Sequence, residues 1–479
     1  MSIATHKLGL SDKRCYKFSR SQKEAVGLLQ IGTFPEYFDL MLYVHMAVVL
    51  NGLFFPKMDT KTEAVMGALT FSSVYLLRPV GALIFGYIGD MIGRKVTVVL
   101  TTMIMAITCI ILATLPTYSE IGITATYVFF MCRILQGMSS MGEAVGSQVY
   151  AVELIQEPRR HLAVGLIDWC TVIGGMAALL ITTYVINVSG NWRTAFWIGS
   201  CIAVIGSIAR VRLREAPDFC NHLKDLRLKI IESKKSKFSY LYRECLHELK
   251  NKKSLAYTLI MQPYPVSFYV AYIYFNIYLK KTFNLTPEYL VTHNLRTSIV
   301  SVTFYFLLCL LVTKYRPLTI YRVKTTIFTI SFLFIVILLN NNPTYIQIAI
   351  IQMLFITIGL GVLPTNGVFI QNFAMTQRFS VVSITWAASR LTAHLIFISG
   401  LVYLNEIMGF NALLVVYIPL ITMAWWGLKY FERLEKQREN LHNMFGSEKS
   451  EAKPEETPNL HTPLSTHPNE IKLNETKLA

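Results

Sequence analysis

The sequence predicts an all-α polytopic membrane protein with twelve transmembrane helices in two six-helix halves. Hydrophobic residues make up 53% of the 479 residues, charged residues only 15%, and the mean hydropathy is +0.43. A soluble chain would carry about 25% charged residues, so lipid must surround much of this protein. Apolar runs of membrane-spanning length recur along the chain, and a glycine-rich charged turn, 86–95, joins two of them.

Each helix is predicted from a window of about 20 mainly apolar residues, the length needed to cross the hydrocarbon core of a bilayer. A hydrophilic stretch with eleven Lys/Arg against six Asp/Glu separates the sixth window from the seventh. The twelve windows are 26–54, 64–88, 96–116, 121–148, 162–187, 194–213, 255–279, 293–313, 323–340, 344–371, 381–404 and 411–430.

These windows divide the chain into five parts. The tail opens with a brief charged helical pattern and continues in Glu, Pro, Thr and Asn, a composition that predicts mostly disorder. The parts are a basic N-terminus (1–23), an N-terminal six-helix bundle (24–213), a basic central loop (214–253), a C-terminal six-helix bundle (254–430) and the tail (431–479).

The distribution of basic residues predicts the orientation. Six Lys/Arg precede the first helix and eleven lie in the central loop, so the positive-inside bias places both termini and that loop in the cytosol. The N-terminus lacks the apolar core and cleavage site of a signal peptide. The net charge of +16 resides in loops between apolar runs, with no aromatic-interleaved basic stripe, which argues against a nucleic-acid partner.

Catalytic and metal chemistry find no support in the sequence. The eight cysteines are scattered, without a CxxC pair or a Cys/His ligand spacing, so we expect neither disulfides nor a metal. HExxH, GxSxG, phosphate-cradling glycine loops and cysteine-nucleophile settings are missing from the sequence. We expect a protein that is not an enzyme and needs no cofactor.

Two predicted helices carry ionisable groups in apolar surroundings, where each costs roughly 2.5–3.5 kcal/mol on insertion scales. In helix one, Glu36, Asp39 and Tyr43 are spaced to share one face, and Pro35 loosens the helix beside them. Helix four places a second such set on one face: Arg133, Gln136, Ser140 and Glu143.

Asp39 and Arg133 are predicted at the same depth. Each lies about 12 or 13 residues, or roughly 20 Å, from one end of its helix, in a hydrocarbon core about 30 Å thick. Protonating the acid would release the arginine, which gives a proton-coupled switch a physical basis. The alternative is a permanent ion pair that only fixes helix packing.

Other buried charges leave two interpretations open. Glu143 has either a proton role or a structural contact at a gate, and Arg78, before Pro79, either packs closely or contacts a substrate. Arg390 could hold a substrate carboxylate or pair with a neighbouring helix. Asp168 is expected to pair with a loop base.

The run from Gly86 to Lys95 resembles the loop between helices two and three of the major facilitator superfamily. The sequences around Arg78-Pro79, 32–39 and 133–143 are similar to those of its metabolite:proton symporter family. The resemblance covers roughly 25–225. Within the 86–95 run, Met91 stands where the family usually has arginine. In the second half of the chain, the loop holding Lys314 and Lys324 keeps its bases but loses the acidic-glycine pattern.

The resemblance implies the major facilitator fold and proton-driven uptake of a small organic acid or zwitterion, such as proline, betaine or a dicarboxylate. It implies a monomer in the bacterial inner membrane whose partners are the substrate, protons and lipid. Proton coupling would fall to Asp39, Glu36, Arg133 and Glu143, and substrate binding to Arg390, Tyr43, Gln136 and Arg78. The gating motif would comprise Gly86, Asp90, Gly93, Arg94, Lys95, Glu153 and Arg160.

Two other functions remain open. The chain could be a facilitator or exchanger that uses the Asp39–Arg133 pair only as structure. It could also be a transport-inactive relative that acts as a sensor or scaffold, which the altered second half and Met91 suggest.

Overall fold

A computed structural model describes residues 18–56, 74–185, 188, 190–213, 215, 219, 223–224, 231 and 237–451. These residues form helices and connecting turns, and no strand occurs among them. Residues 57–73, which include the start of the predicted second helix (64–88), lie outside the described residues.

Six long helices of the described residues build the N-terminal half, and α4 continues without a break through one π-helical turn. Their bounds are α1, Arg20–Phe54; α2, Arg78–Met91; α3, Arg94–Thr114; α4, Ile123–Ser140, Met141–Val145 and Gly146–Leu154; α5, Arg159–Tyr184; α6, Arg193–Val211.

Six more helices build the C-terminal half, where α7 and α11 also contain π-helical turns. Their bounds are α7, Lys252–Met261, Pro263–Tyr269, Val270–Tyr274 and Phe275–Phe283; α8, Pro287–Leu311; α9, Pro317–Leu339; α10, Tyr345–Thr357 and Asn366–Gln371; α11, Arg378–Thr392, Ala393–Ile398 and Ser399–Met408; α12, Ala412–Glu451.

Local sequence signals set several helix starts. Ser19 and Gln22 form a capping box at the start of α1, which therefore begins six residues before the predicted window. Pro317 opens α9, because a residue without an amide hydrogen costs nothing at the first helical position. The apolar window missed this turn because bases occupy it. Lys324, counted among the bases of the preceding loop although the predicted window begins at 323, is a buried residue of α9.

Lys324 explains how α10 can break inside the protein. The predicted continuous helix 344–371 is interrupted after Thr357 and resumes at Asn366. The Lys324 ammonium group donates to the carbonyl oxygens of Gly361 and Leu363. Backbone carbonyls freed by a helix break are tolerated at membrane depth only when a buried partner satisfies them.

Each half of the molecule has an apolar core of its own. In the N-terminal half, Phe38, Phe129 and Trp192 pack among buried aliphatic side chains. In the C-terminal half, Phe328 and Tyr417 anchor an aromatic cluster. Between the halves, α5 packs against α8 and α2 packs against α11.

Within the described residues, six stretches are long and apolar enough to cross a membrane, by length and composition only. They are Arg94–Thr114, Arg159–Tyr184, Arg193–Val211, Glu288–Leu311, Pro317–Leu339 and Arg378–Asn440, of which the last takes in both α11 and α12. Their outward faces carry large apolar side chains, such as Ile107, Ile208 and Phe334, which suits contact with lipid.

The central loop contains structure that its composition did not predict. Lys237–Leu249 forms a helix, here called the loop helix, which packs against α11. The chain divides into two compact units, Met1–Glu432 and Arg433–Ala479. The five-part division predicted from the sequence stays a prediction.

Replacing Gly174 by Ala is expected to lower the midpoint of thermal unfolding. A Cβ there would lie 2.5 Å from the carbonyl oxygen of Phe34, so α5 and α1 would have to move apart. Overpacking of this kind costs about 1–3 kcal/mol. Gly27→Ala is the matched control, because a Cβ at that position meets nothing within 4 Å. Equal midpoints for both variants in detergent would show that the close contact carries no stability.

Candidate functional site

A buried ion pair joins α1 to α4 in the N-terminal half. Arg133 Nη1 lies 2.9 Å from Asp39 Oδ2, and both side chains are nearly inaccessible to solvent. Gln136 Nε2 donates to Asp39 Oδ1 at 3.1 Å. The Arg133 guanidinium also stacks 4.2 Å from the centre of the Tyr43 ring. The acid and base that the sequence placed at one depth thus meet inside the bundle.

Tyr43 and Gln136 do not lie where substrate-binding residues were expected. Both contact the Asp39–Arg133 pair inside the N-terminal half, and neither lines the cavities between the halves that are described below. Tyr43 packs in the N-terminal core, whereas Tyr37 lines the cavities and Met41 contacts both. Adjacent residues point about 100° apart on a helix, so one helix serves both surfaces.

A second buried ion pair holds α4 against α6. Arg210 Nη1 lies 2.9 Å from Glu143 Oε1, and neither side chain is accessible. Arg210 also donates to Thr102, Ser147 and the carbonyl oxygen of Leu29. Glu143 Oε2 has no hydrogen-bond partner. Glu143 therefore makes its structural contacts through Oε1 alone.

The space between the halves is divided into three adjoining cavities that share Tyr37 and Tyr264. One of them is largely aromatic, lined by Tyr37, Phe268, Tyr272 and Tyr305 among others. Another contains Asp168, Asn366 and Arg390. The third contains Tyr75, Arg78, Trp386 and Arg390. Side chains of both halves line each cavity.

Arg78 and Arg390 face this space without an acid at ion-pair distance among the described residues. Their guanidinium groups lie on Trp386, at 5.2 Å and 4.4 Å from the ring, and Arg390 also stacks on Tyr264 at 4.8 Å. Stacking on aromatic faces compensates part of the charge and leaves the planar donors free for a ligand. Nε of each arginine has no hydrogen-bond partner.

Glu36 is the buried acid with the least compensation. Both carboxyl oxygens lack a hydrogen-bond partner, and the side chain is 2% exposed. Its electrostatic neighbours are Arg78, Arg210 and Arg390 on the cationic side and Glu143 on the anionic side. The electrostatic environment of Glu36 therefore includes the two arginines of the cavity as well as the Glu143–Arg210 pair.

At one end of the molecule, four charged residues join the halves. We call Asp90, Arg94, Glu153 and Arg378 the gate. Arg94 lies 2.6 Å from Asp90 and 3.1 Å from Glu153, and Arg378 lies 3.2 Å from Glu153. Arg94 Nη2 also donates to the carbonyl oxygen of Met375 at 3.0 Å. The N-terminal half thus binds both ends of the 375–378 segment.

Asp90 caps a helix of the other half. Its carboxylate accepts from the backbone amides of Phe379 and Ser380, at 3.1 Å and 2.9 Å, in the first turn of α11. An anion at a helix N-terminus satisfies unpaired amides and complements the helix dipole. Gly86 allows the approach, because a Cβ there would lie 2.8 Å from Cα of Ser380. These contacts join α2 to the start of α11.

The remaining residues of the predicted gating motif lie around the gate. Arg160 donates to Gln371 of the opposite half at 2.7 Å. At Gly93, a Cβ would collide with the Glu215 carboxylate, which accepts from the amide of Lys95 at 2.8 Å. Partial burial raises the pKa of the Glu215 carboxyl above its usual value, although the Lys95 amide lowers it.

Several residues of the site were missed by sequence reasoning. Arg210 and Lys324 are charged residues within or beside apolar windows, a signal that could have identified them. Asp168 was expected to pair with a loop base; among the described residues its carboxylate accepts from Gln148 instead. Tyr37 and Trp386 gave no signal, since aromatic residues are common in such helices.

Comparison with known proteins places the chain in context. A profile described as Major Facilitator Superfamily matches residues 40–394. The chain is 31% identical over 211 residues to the proline/betaine transporter of Escherichia coli (strain K12), covering 43% of this chain and 42% of that protein. It is 29% identical over 211 residues to the glycine betaine/proline/ectoine/pipecolic acid transporter OusA of Dickeya dadantii, with the same two coverages. The chain thus spans less than half the length of these relatives.

Solved structures share the fold at low sequence identity. The proton:xylose symporter XylE superimposes with a TM-score of 0.69 at 13% identity, covering 86% of this chain and 95% of that chain. The human organic anion transporter MFSD10 gives a TM-score of 0.60 at 14% identity, covering 85% and 99%. These matches confirm the predicted all-α fold.

Asp90→Asn is expected to open the gate and expose Cys245 of the loop helix, whose thiol is buried beside Ser380. The amide keeps the size of the side chain but loses the charge that holds Arg94, a contact worth about 1.5–3 kcal/mol. Alkylation of Cys245, followed by peptide mass spectrometry, should accelerate.

Glu24→Gln is the control, because Glu24 is exposed at the start of α1. Cys132, buried in the N-terminal core, reports that the fold is intact in all samples. Unchanged protection of Cys245 in Asp90→Asn would mean that Asp90 does not hold this end closed.

Proposed function

Because the chain belongs to the major facilitator superfamily, a family of membrane transporters and not of enzymes, we propose that it is a secondary active transporter coupled to protons. Its substrate is a small zwitterion or organic acid, taken up by alternating access of a central site. The family is confirmed, while the proposal adds the coupling ion, the substrate class and the roles of single residues.

The observation that carries the proposal is the Asp39–Arg133 pair, buried between α1 and α4. Protonation of Asp39 removes the charge that holds the guanidinium and leaves Arg133 to find another partner. Asp39 lies between Tyr37 and Met41 in sequence, and both of these face the cavity. A movement of α1 that follows the loss of the ion pair therefore reaches the substrate site directly.

Glu36 is proposed as a second proton-binding group. Its carboxyl group has no hydrogen-bond partner and is close to Arg78 and Arg390 in electrostatic terms. A substrate carboxylate that binds these arginines would compete with Glu36 for positive charge. Binding of an anionic group would then favour protonation of Glu36, which couples the two events.

The cavity favours a zwitterion over a dicarboxylate. Arg390 and Arg78 supply planar donors that suit one carboxylate. The adjoining wall is formed by Tyr37, Phe268 and Tyr272, whose ring faces attract a quaternary or secondary ammonium group. The bacterial relatives named above are transporters of betaine and proline, which have this charge pattern. A dicarboxylate bridging both arginines is the second candidate, because two unpaired guanidinium groups lie on one tryptophan.

We place the protein in a bacterial inner membrane as a monomer, with both termini and the loop helix in the cytoplasm. The excess of Lys/Arg before α1 and in the central loop supports this orientation. The gate then faces the cytosol, and its closed contacts correspond to a cavity shielded from that side.

Uptake into proteoliposomes tests the function. Labelled betaine, proline, 2-oxoglutarate, citrate and shikimate are offered with and without an inward proton gradient. Accumulation of one compound only with the gradient supports symport. Uptake that stops at equilibrium indicates a facilitator or exchanger. Binding without flux indicates a sensor or scaffold, and either of these results contradicts the proposal.

Asp39→Asn is expected to abolish gradient-driven accumulation while part of the substrate counterflow remains. The asparagine oxygen can still accept a hydrogen bond from Arg133 or from Gln136, whereas its amide nitrogen accepts none, and the side chain can no longer bind and release a proton. Accumulation ratios and counterflow are measured on the same vesicles, with the exposed Glu24→Gln as control. Undiminished uphill uptake by Asp39→Asn would rule out this residue as the coupling group.

Arg390→Ala is expected to raise KM for a carboxylate substrate about tenfold to a hundredfold. A charged hydrogen bond is worth about 1.5–3 kcal/mol, and alanine removes it. Arg296→Ala, an exposed position of α8, controls for the loss of one positive charge. If KM is the same in both variants, the substrate carboxylate does not bind Arg390.

A further inference from the structure

A hydrogen-bonded chain of four side chains joins the two halves beneath the central cavity. Tyr257 in α7 donates to Asn366 Oδ1 in α10 at 3.2 Å. Asn366 Nδ2 donates to Gln148 Oε1 in α4 at 2.5 Å. Gln148 Nε2 in turn donates to Asp168 Oδ1 in α5. The contact between Gln148 and Asn366, here called the latch, is the one of these three hydrogen bonds that crosses between the halves.

The latch lies between the gate and the cavity. Gln148 precedes Glu153 of the gate by five residues in the same helical segment, which places it about 7.5 Å further along the helix axis. Gln148, Asp168 and Asn366 line the cavity that also contains Arg390. The latch is therefore the floor of that cavity and is separate from the charged contacts of the gate.

Asp168 sets the direction of the whole chain. An ionised carboxylate only accepts hydrogen bonds, so Gln148 must turn its amide nitrogen toward Asp168 and its oxygen toward α10. Asn366 must then present its nitrogen to Gln148 and its oxygen to the Tyr257 hydroxyl. All four side chains are at most 8% exposed, so water offers little alternative to these partners.

We propose that the latch closes the floor of the substrate cavity and that Asp168 is its positioning residue. This rests on the proposed transport function. When the halves separate at this end, the Gln148–Asn366 bond is the one hydrogen bond of this four-residue chain that breaks. Asp168 still orients Gln148, and Tyr257 still orients Asn366. Both amides keep the orientation that allows the latch to form again, which limits the entropy lost on closure.

Reversing the polarity of the chain tests the proposal. In Asn366→Asp, two carboxylates flank Gln148, which has one amide nitrogen to offer, so the latch fails. In the double variant Asp168→Asn with Asn366→Asp, the new carboxylate accepts from both Tyr257 and Gln148. The Gln148 oxygen then accepts from the amide of the new asparagine. Every group has a partner again, with the direction of each link across Gln148 reversed.

Cys309 reports the state of the latch without any substrate. It is 2% exposed and lies at the junction of the halves, because a Cβ on Gly165 of α5 would lie 3.2 Å from its sulfur and 3.4 Å from Pro364. The full-length protein in nanodiscs is alkylated with N-ethylmaleimide at pH 8, and each cysteine peptide is quantified. Cys132, buried in the N-terminal core, is the internal control for folding.

Asn366→Asp should accelerate alkylation of Cys309 about tenfold, the factor for a loss near 1.4 kcal/mol, and leave Cys132 protected. The double variant should return Cys309 to nearly the rate of the unmodified protein. An unaltered rate in Asn366→Asp, or a double variant that reacts as fast as this single variant, would overturn the proposal. Because no transport is measured, either result leaves the proposed transport function to its own test.

Discussion

The cost of placing charge inside an apolar bundle governs the arrangement of this protein. The Asp39–Arg133 and Glu143–Arg210 pairs each join two helices of the N-terminal half, and the gate joins the halves. Breaking a buried pair by removing one partner leaves an uncompensated charge, which is strongly destabilising. The pairs therefore fix which helices are neighbours, and a change of protonation in one of them must move helices.

The charges that lack such partners are the ones that we propose for ligand and proton binding. Arg78 and Arg390 rest on aromatic rings, and the Glu36 carboxyl group has no hydrogen-bond partner among the described residues. They line or adjoin the space between the halves, while the compensated pairs lie within a half or at the gate. Closure at one end depends on two layers. The gate layer is ionic, and the latch layer consists of neutral amides oriented by one acid.

Much of the fold could be predicted from composition and apolar length, because twelve windows of spanning length leave few alternatives. The spacing of Glu36, Asp39 and Tyr43 also predicted their common face. Residues on the opposite face of the same helix were missed: Tyr37 and Met41 line the cavity, and neither is a polar residue in an unusual place. The role of Asp90 as a cap for α11 depends on a contact between residues almost 300 positions apart, which one sequence does not reveal.

The second half illustrates the same limit. The altered loop around Lys314 and Lys324 suggested a lost gate on that side, yet Arg378 pairs with Glu153 and the backbone of α11 receives Asp90. A backbone amide can donate a hydrogen bond whichever side chain its residue carries, so this contact does not depend on the usual sequence pattern. Lys324 has the different task of satisfying the break in α10.

The most direct test of the central claim is the number of protons bound when substrate binds. The purified protein is mixed with the substrate identified in the uptake panel, in weakly buffered solution near pH 7, while the pH is recorded. Our account predicts proton uptake from solution that is reduced or absent in Asp39→Asn. Substrate binding of normal affinity with no proton uptake in the unmodified protein would contradict it and leave the buried pair as a purely structural element.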